Sequence, residues 1–195
     1  MSALAQNRLT PAEYLAFERA SELRHEYYGG EIFAMSGASA AHNTICWNLA
    51  VRLDSQLKAG GCRGFVNDMR VAVEASGLFT YPDLVVVCGP PVFLDASQPD
   101  TLTNPTLIAE VLSASTEDYD RGRKFAHYRG LPSLQGYLLL SQDRHHAELY
   151  QRQPGDTWLL SETSDPETRI SLPVAGGAEL RLGDLYDGVV FPLRT

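Results

Sequence analysis

The pattern of apolar and polar positions along the chain predicts helices interleaved with strands. The clearest helix runs from about Ala41 to Lys58, where isoleucine and leucine recur at every fourth position and two glycines follow the last turn. A shorter helix is predicted from about Pro11 to Arg19, because Thr10 and Glu13 have the spacing of a capping box. The chain therefore begins with two helices separated by about twenty residues.

Strands are predicted on both sides of the long helix. His25 to Met35 has the pattern of a hairpin, and Gly29-Gly30 supplies the positive φ angles of a two-residue turn. Further strands are predicted at Arg63–Val66, Arg70–Val73, Thr80–Cys88, Thr106–Leu112, Leu134–Ser141 and Ala147–Gln151. Two of these, Thr80–Cys88 and Thr106–Leu112, contain runs that are apolar on both faces, which is typical of central strands.

The remaining segments complete the predicted order of elements. A long loop is predicted from Gly89 to Asn104, and a helix from about Glu117 to Arg129, with Ser115 or Thr116 as its cap. Short strands and a brief terminal helix at Leu182–Tyr186 are predicted after Trp158.

This order of elements predicts the fold class. Interleaved helices with two fully apolar strands indicate an α/β protein, in which helices flank a central mixed β-sheet. The N-terminal helix and hairpin and the C-terminal strands would be additions to that core. A length of 195 residues, with 44% hydrophobic and 21% charged residues, predicts one globular domain over 1–195, with its core at about 41–141.

Composition indicates where the protein is located and which partners it can bind. Because the chain has no apolar run long enough to span a bilayer and no signal-peptide pattern at its start, we expect a cytoplasmic protein without a membrane partner. Cys46, Cys62 and Cys88 form no CxxC motif and are expected to be small buried hydrophobic residues in a reducing compartment. A net charge of −8 argues against coating of DNA irrespective of sequence, although four basic residues cluster between positions 121 and 129.

Two carboxylates are the strongest candidates for chemistry. Asp83 and Glu110 lie in the two most apolar strands, where a charge is costly unless it is paired or bound to a metal ion. Neighbouring strands can bring such side chains together, and two carboxylates suit a hard cation such as Mg²⁺ or Mn²⁺. Lys124 follows on the next predicted helix, and the helical spacing places Arg121 and Tyr128 on the same face.

These segments together resemble the Uma-type restriction endonucleases of the PD-(D/E)XK nuclease superfamily. The similarity lies in Tyr81–Val87, in Glu110–Ser113 and in Asp120–Lys124 followed by Tyr128. It extends to Tyr27–Glu31, His42-Asn43 and Leu182–Tyr186, and so covers nearly the whole chain. In the superfamily pattern a lysine lies two residues after the second acidic residue. Leu112 occupies that position here, and the resemblance maps the lysine to Lys124.

The resemblance implies a restriction-endonuclease-like fold that hydrolyses phosphodiester bonds of DNA with a divalent metal. Asp83, Glu110 and the Val111 carbonyl would hold Mg²⁺ or Mn²⁺, and Lys124 would stabilise the transition state. Lys124→Ala is expected to abolish nicking and to leave the fold and metal binding largely intact, because it removes transition-state charge stabilisation and no core packing.

Four further residues are candidates for substrate binding. Arg121 and Arg123 would hold neighbouring phosphates, and Tyr128 would contribute from the same helix. His42 is either a contact to a phosphate or to metal-bound water, or a polar residue at the start of a helix. A homodimer is expected, because nucleases that cut both strands are often two-fold dimers.

Other interpretations stay open at this point. Asp83 could simply begin a strand, Glu110 could pair with an arginine, and Lys124 could be solvated. The protein could also be an inactive nucleic-acid-binding or assembly module on the same fold, which the acidic net charge favours, or a nuclease whose partner supplies the DNA contacts. The sequence does not distinguish DNA from RNA, nor does it indicate the sequence that is cut or the biological role.

Overall fold

A computed structural model describes residues 8–35, 37–113 and 116–191 of the protein. The helices are α1 (Pro11–Ala20), α2 (Ala40–Ala59), α3 (Glu117–Tyr119), α4 (Phe125–Tyr128) and α5 (Leu182–Leu185), with a π-helical turn at Asp120–Lys124 and a 3₁₀ turn at Pro154–Asp156. The strands are β1 (His25–Tyr28), β2 (Glu31–Ala34), β3 (Cys62–Val66), β4 (Arg70–Val73), β5 (Leu78–Thr80), β6 (Leu84–Cys88), β7 (Thr101–Leu102), β8 (Leu107–Leu112), β9 (Gly136–Ser141), β10 (Ala147–Gln153), β11 (Thr157–Thr163), β12 (Arg169–Leu172) and β13 (Ala178–Arg181).

A six-stranded mixed sheet forms the centre, in the order β11-β10-β9-β8-β6-β3. Only β8 and β9 pair in parallel within it, and β6 and β8 are buried on both faces along almost their whole length. The predicted mixed sheet flanked by helices is therefore confirmed. The expectation that residues 1–195 form a single domain stays a prediction.

Each face of this sheet has its own covering layer. Helix α2, the β12–β13 hairpin and α5 pack on one face, against side chains such as Val86, Ala109 and Leu138. Phe125 and Tyr128 of α4, together with β4 and β5, pack on the opposite face, which carries Val85 and Leu139. Side chains of a strand alternate between faces, so Glu110 of β8 points toward the second layer.

The N-terminal elements follow their local sequence signals. The Thr10 side chain accepts a hydrogen bond from the Glu13 N–H, and the Glu13 carboxylate accepts one from the Thr10 N–H, which completes the predicted capping box. The hairpin turns at Gly29 and Gly30, which have φ angles of 60° and 93°. β1 then joins β5, β4 and β7 in a five-stranded sheet beside the central one.

Three predicted elements are interrupted in the structure. The strand predicted at Thr80–Cys88 is two strands in different sheets, because Pro82 lacks an N–H and the chain leaves one sheet and enters the other there. The loop predicted from Gly89 to Asn104 contains the short strand β7. The helix predicted at Glu117–Arg129 contains the π-helical turn, and the Thr116 side chain makes no cap bond to it, while Ser115 lies outside the described residues.

The cysteines differ from the prediction in one respect. Cys62 and Cys88 face each other across the antiparallel pair β3–β6 and form a disulfide, so the expectation of three reduced cysteines was wrong. The pairing of these two cysteines could not be predicted, because β6 was predicted as part of a longer strand and its register with β3 was unknown. Cys46 is free and buried, as predicted.

Among the residues that the structure describes, no helix has the length and apolar character needed to cross a membrane.

Candidate active site

Asp83 and Glu110 meet where β6 begins and β8 nears its end. The Asp83 carboxylate accepts a hydrogen bond from the Val111 N–H, with Oδ2 2.7 Å from the nitrogen. The Asp83 N–H points to Glu110, and its nitrogen lies 3.4 Å from Oε2. The structure therefore brings together the two acidic residues singled out from the sequence, although 27 positions separate them.

The Val111 carbonyl lies on the same side of its strand as Asp83. In a β-strand the N–H and C=O of one residue point toward the same neighbouring strand. Because the Val111 N–H binds the Asp83 carboxylate, the Val111 C=O is directed to that edge as well. The Val111 carbonyl is therefore a further oxygen atom on the edge of β8 that faces Asp83.

Glu110 is almost completely buried, with 4% of its surface exposed. Its Oε1 atom accepts hydrogen bonds from the Lys124 amine at 2.9 Å and from the Tyr128 hydroxyl at 3.1 Å. Burial raises the pKa of Glu110 well above its usual range, and Asp120 and Asp83 act in the same direction, while Lys124 opposes them. An added cation would therefore stabilise the ionised form of this carboxylate.

Lys124 is buried among three carboxylates. Its Nζ lies 2.9 Å from Glu110, 3.1 Å from Glu26 and 3.3 Å from Asp120. Burial alone lowers the pKa of Lys124, but the three carboxylates, Glu110 first, outweigh it and hold the pKa well above its usual range. The amine therefore stays protonated and points toward Glu110, not into solvent.

Glu26 is a member of this cluster that the sequence analysis missed. It lies on β1, and its carboxylate accepts hydrogen bonds from Lys124 and from the Thr80 hydroxyl. The only feature of the sequence that could have indicated its role is its position directly before Tyr27–Glu31, a segment that carries part of the family resemblance. Asp120 lies within the segment Asp120–Lys124 that also carries the resemblance, but the resemblance implies no role for it.

His42 approaches Asp83 from the opposite layer. It lies in the first turn of α2, and its N–H donates the cap bond to the Ser39 hydroxyl oxygen, as expected of a residue at a helix start. Its side chain also reaches the site, with Nε2 3.2 Å from Asp83 Oδ2 and Nδ1 3.5 Å from Cys46 Sγ. The cap bond fits the interpretation of His42 as a residue at a helix start, whereas its contact with a phosphate or with metal-bound water stays a prediction.

Tyr128 is completely buried, so its interpretation as a substrate contact needs correction. Its hydroxyl supports Glu110 from within the core, because the residue lies on the inner face of α4.

Arg121 and Arg123 differ in their surroundings. The Arg121 guanidinium pairs with Glu117 and with Glu148, whose Oε1 lies 2.8 Å from Nε. Glu148 and Glu110 both lie opposite Leu139 in the sheet, so Arg121 is held about two strand spacings, roughly 10 Å, from the carboxylate pair. Arg123 is exposed and pairs with no carboxylate among the described residues.

The charges of the site favour a cation. Four carboxylates, those of Glu26, Asp83, Glu110 and Asp120, surround one protonated lysine and one histidine. Since most of these groups are shielded from solvent, their mutual repulsion is screened less than at the surface.

Comparison with known proteins identifies the family of this chain and a solved structure with the same fold. The family described as "Uma2: Putative restriction endonuclease" matches residues 11–183. Two uncharacterized proteins of Synechocystis are similar in sequence. The protein sll1609 is 42% identical over 154 residues, which cover 79% of this chain and 86% of that protein. The protein slr1290 is 37% identical over 153 residues, which cover 78% and 79%.

A solved structure shares the fold. It is a protein from Anabaena variabilis described as a "putative nuclease belonging to DUF820", with a TM-score of 0.76 at 19% identity. The match covers 93% of this chain and 99% of that one. The family match extends over most of the chain, from α1 into α5. The chain therefore belongs to the Uma2 family of restriction-endonuclease-like proteins.

Proposed function

We propose that this protein is a divalent-metal-dependent nuclease that hydrolyses phosphodiester bonds of DNA. One observation carries the proposal: Asp83 and Glu110 meet at the Val111 backbone beside a buried, protonated Lys124. This is the set of groups that the superfamily pattern requires, although the lysine comes from the π-helical turn after β8.

The residues at this point fit a hard cation. Mg²⁺ and Mn²⁺ prefer oxygen ligands, and one or two carboxylates usually suffice to hold Mg²⁺. Asp83 and Glu110 would hold the ion, with the Val111 carbonyl as a further ligand. An ion bound there supplies two things: it lowers the pKa of a water molecule, and it offsets charge on the scissile phosphate.

The chain's own residues have distinct roles in this proposal. Lys124 stabilises the negative charge that develops on the phosphate. Tyr128 and the Val111 N–H fix the orientation of Glu110 and Asp83 through their hydrogen bonds. Arg123 holds a neighbouring phosphate, whereas Arg121 is already neutralised by two glutamates.

The experiment is a plasmid-nicking assay with Mn²⁺ or Mg²⁺, combined with Mn²⁺ calorimetry. Wild-type protein should convert supercoiled plasmid to the open form only when the metal is present. Asp83→Asn should lose both nicking and Mn²⁺ binding, while its circular dichroism spectrum stays unchanged. The exposed Asp187→Asn is the matched control and should behave as wild type.

Equal Mn²⁺ affinity of wild type and Asp83→Asn would refute the metal site. Single-stranded DNA and RNA offered in the same assay identify the substrate class. Size-exclusion chromatography with light scattering tests the proposed homodimer.

A second candidate is an inactive nucleic-acid-binding or assembly module on the same fold. The ion pairs of Lys124 favour it, because three carboxylates occupy the amine that a phosphate would need. Absence of nicking by wild-type protein under several metals and salt concentrations, with a folded chain, would make this the better account.

A further inference from the structure

A second group of metal ligands lies beside the proposed nuclease site. His42 and Cys46 are four residues apart on α2 and therefore share one face of that helix. Asp83 lies opposite them at the start of β6. One ligand atom from each of the three residues lies within 4.8 Å of the other two.

We propose that His42, Cys46 and Asp83 form a site for a borderline-soft divalent ion of the Zn²⁺ class. Imidazole nitrogen, thiolate sulfur and carboxylate oxygen are the ligands that zinc takes in proteins. Mg²⁺ has little affinity for sulfur, so this set of ligands discriminates against the ion proposed at Asp83 and Glu110. Three protein ligands leave the fourth position of a tetrahedral site to water.

Each of two contacts in the cluster, taken separately, has a length that suits a tetrahedral ion. With zinc bonds of ordinary length, the sulfur and nitrogen of a tetrahedral site lie about 3.6 Å apart. Cys46 Sγ lies 3.5 Å from His42 Nδ1, and Asp83 Oδ2 lies 3.2 Å from His42 Nε2. Because these two contacts use different ring nitrogens, a single ion can bind all three residues only after the imidazole or the carboxylate rotates.

The cluster is enclosed on one side and open on the other. Cys46 belongs to the buried core under α2, while the side chains of His42 and Asp83 are 14% and 19% exposed. An ion can thus enter past His42 and Asp83 and meet the thiol at the inner end. Cys46 is also the one free cysteine of the chain, since Cys62 and Cys88 are joined.

Occupation of this site would affect the proposed nuclease. Asp83 belongs to both ligand sets, so an ion held by His42 and Cys46 withdraws Asp83 from its pairing with Glu110. Zn²⁺ should therefore inhibit Mn²⁺-dependent nicking. This consequence rests on the proposed function, whereas the binding of Zn²⁺ does not.

The test is a Co²⁺ titration of the full-length protein, followed by displacement with Zn²⁺. Wild-type protein should develop the near-ultraviolet charge-transfer band of a cobalt–thiolate bond, and Zn²⁺ should abolish the band. Cys46→Ser should lose the band. His42→Ala should weaken Co²⁺ binding by roughly 10–100-fold or more, since loss of even an outer partner of a metal ligand has that effect.

Circular dichroism controls for folding of both variants, and His42→Ala, which lies nearer the surface, keeps the test valid if Cys46→Ser unfolds. A cobalt band that persists in Cys46→Ser, or no band in wild type, overturns the site. Zn²⁺ inhibition is measured relative to each variant's own rate without Zn²⁺ and should be weaker in Cys46→Ser. If no variant nicks DNA, the proposed function fails, while the cobalt spectra still decide the binding of Zn²⁺.

Discussion

At the scale of single residues, Lys124 has a structural role as well as the proposed catalytic one. It is the cation that compensates Glu110, Glu26 and Asp120 in a region almost without solvent. Removing one partner of a buried ion pair leaves the others uncompensated, which typically costs more than the pair contributes. The expectation that Lys124→Ala leaves the fold intact is therefore replaced by the expectation that loss of this lysine destabilises the folded protein.

We predict that Lys124→Met lowers the free energy of unfolding by roughly 3–5 kcal/mol, the usual cost of breaking a buried ion pair. Chemical denaturation measures this value. The double variant Lys124→Met/Glu110→Gln should recover part of the loss, because it removes one of the uncompensated carboxylates. A single variant as stable as wild type would show that the carboxylates do not depend on Lys124 for their compensation.

The two neighbouring arginines give a matched pair for DNA binding. We predict that Arg123→Ala weakens binding to all sequences and reduces the slope of log affinity against log salt by roughly 1, as expected for one phosphate contact. Arg121→Ala should change DNA affinity little, because Glu117 and Glu148 already neutralise its charge. Fluorescence anisotropy at several salt concentrations measures both slopes, and the reverse ranking would contradict the assignment.

At the scale of elements, the sequence correctly predicted the features that depend only on residues close together in the chain. The capping box of α1, the two-glycine hairpin and the four-residue repeat of α2 each depend on neighbouring residues, and all three are present. The π-helical turn could not be predicted, because its residues also suit an α-helix. The contact of Glu26 with Lys124 depends on the pairing of β1 with β5, which no local pattern encodes.

The end of α2 gives a prediction at this scale. A Cβ at Gly60 would lie 2.4 Å from the Cα of Ala175, a contact with backbone that cannot be relieved by rotating a side chain. Gly60→Ala should therefore lower the free energy of unfolding by roughly 1–3 kcal/mol, as other overpacking substitutions do.

Gly122→Ala is the matched control for this substitution. A Cβ at Gly122, in the π-helical turn, would meet nothing within 4 Å. Because alanine loses less backbone entropy than glycine on folding, Gly122→Ala should stabilise the protein by roughly 0.5–1 kcal/mol. Thermal denaturation compares the two variants, and a loss of equal size in both would argue against the steric explanation.

At the scale of the whole molecule, the candidate site exists only because three parts of the fold meet. The central sheet supplies Asp83 and Glu110, the π-helical turn supplies Lys124, and the five-stranded sheet supplies Glu26. The resemblance to a family indicated the first three residues, since they lie in recognisable segments. The disulfide and the position of Glu26 could not be predicted, because both depend on the register between strands that are distant in the chain. That register is set by packing.

The layer beside the site is itself held by a charged network. Asp100, directly before β7, accepts a hydrogen bond from Arg19 of α1, with Oδ2 2.7 Å from Nε. The same carboxylate lies 3.0 Å from the buried Arg70 of β4. Burial alone raises the pKa of Asp100, but bonds from Arg19 and Thr101 and the charge of Arg70 outweigh it and lower the pKa from 3.8 to about 2.

This shift predicts how acid affects the fold. Because the pKa of Asp100 is lower in the folded state, the ionised carboxylate stabilises the folded protein above pH 3.8, and the contribution is lost as the pH falls toward about 2. Asp100→Asn should therefore be less stable than wild type at neutral pH, and the difference should shrink in that acidic window, because wild-type Asp100 becomes protonated there whereas asparagine carries no charge at any pH. Denaturant titrations at several pH values measure the two curves, with Asp187→Asn as a control that removes an exposed carboxyl without an arginine partner among the described residues. A difference between wild type and Asp100→Asn that stays constant down to pH 2 would show that the arginines stabilise this layer by packing and not by their pairing with Asp100.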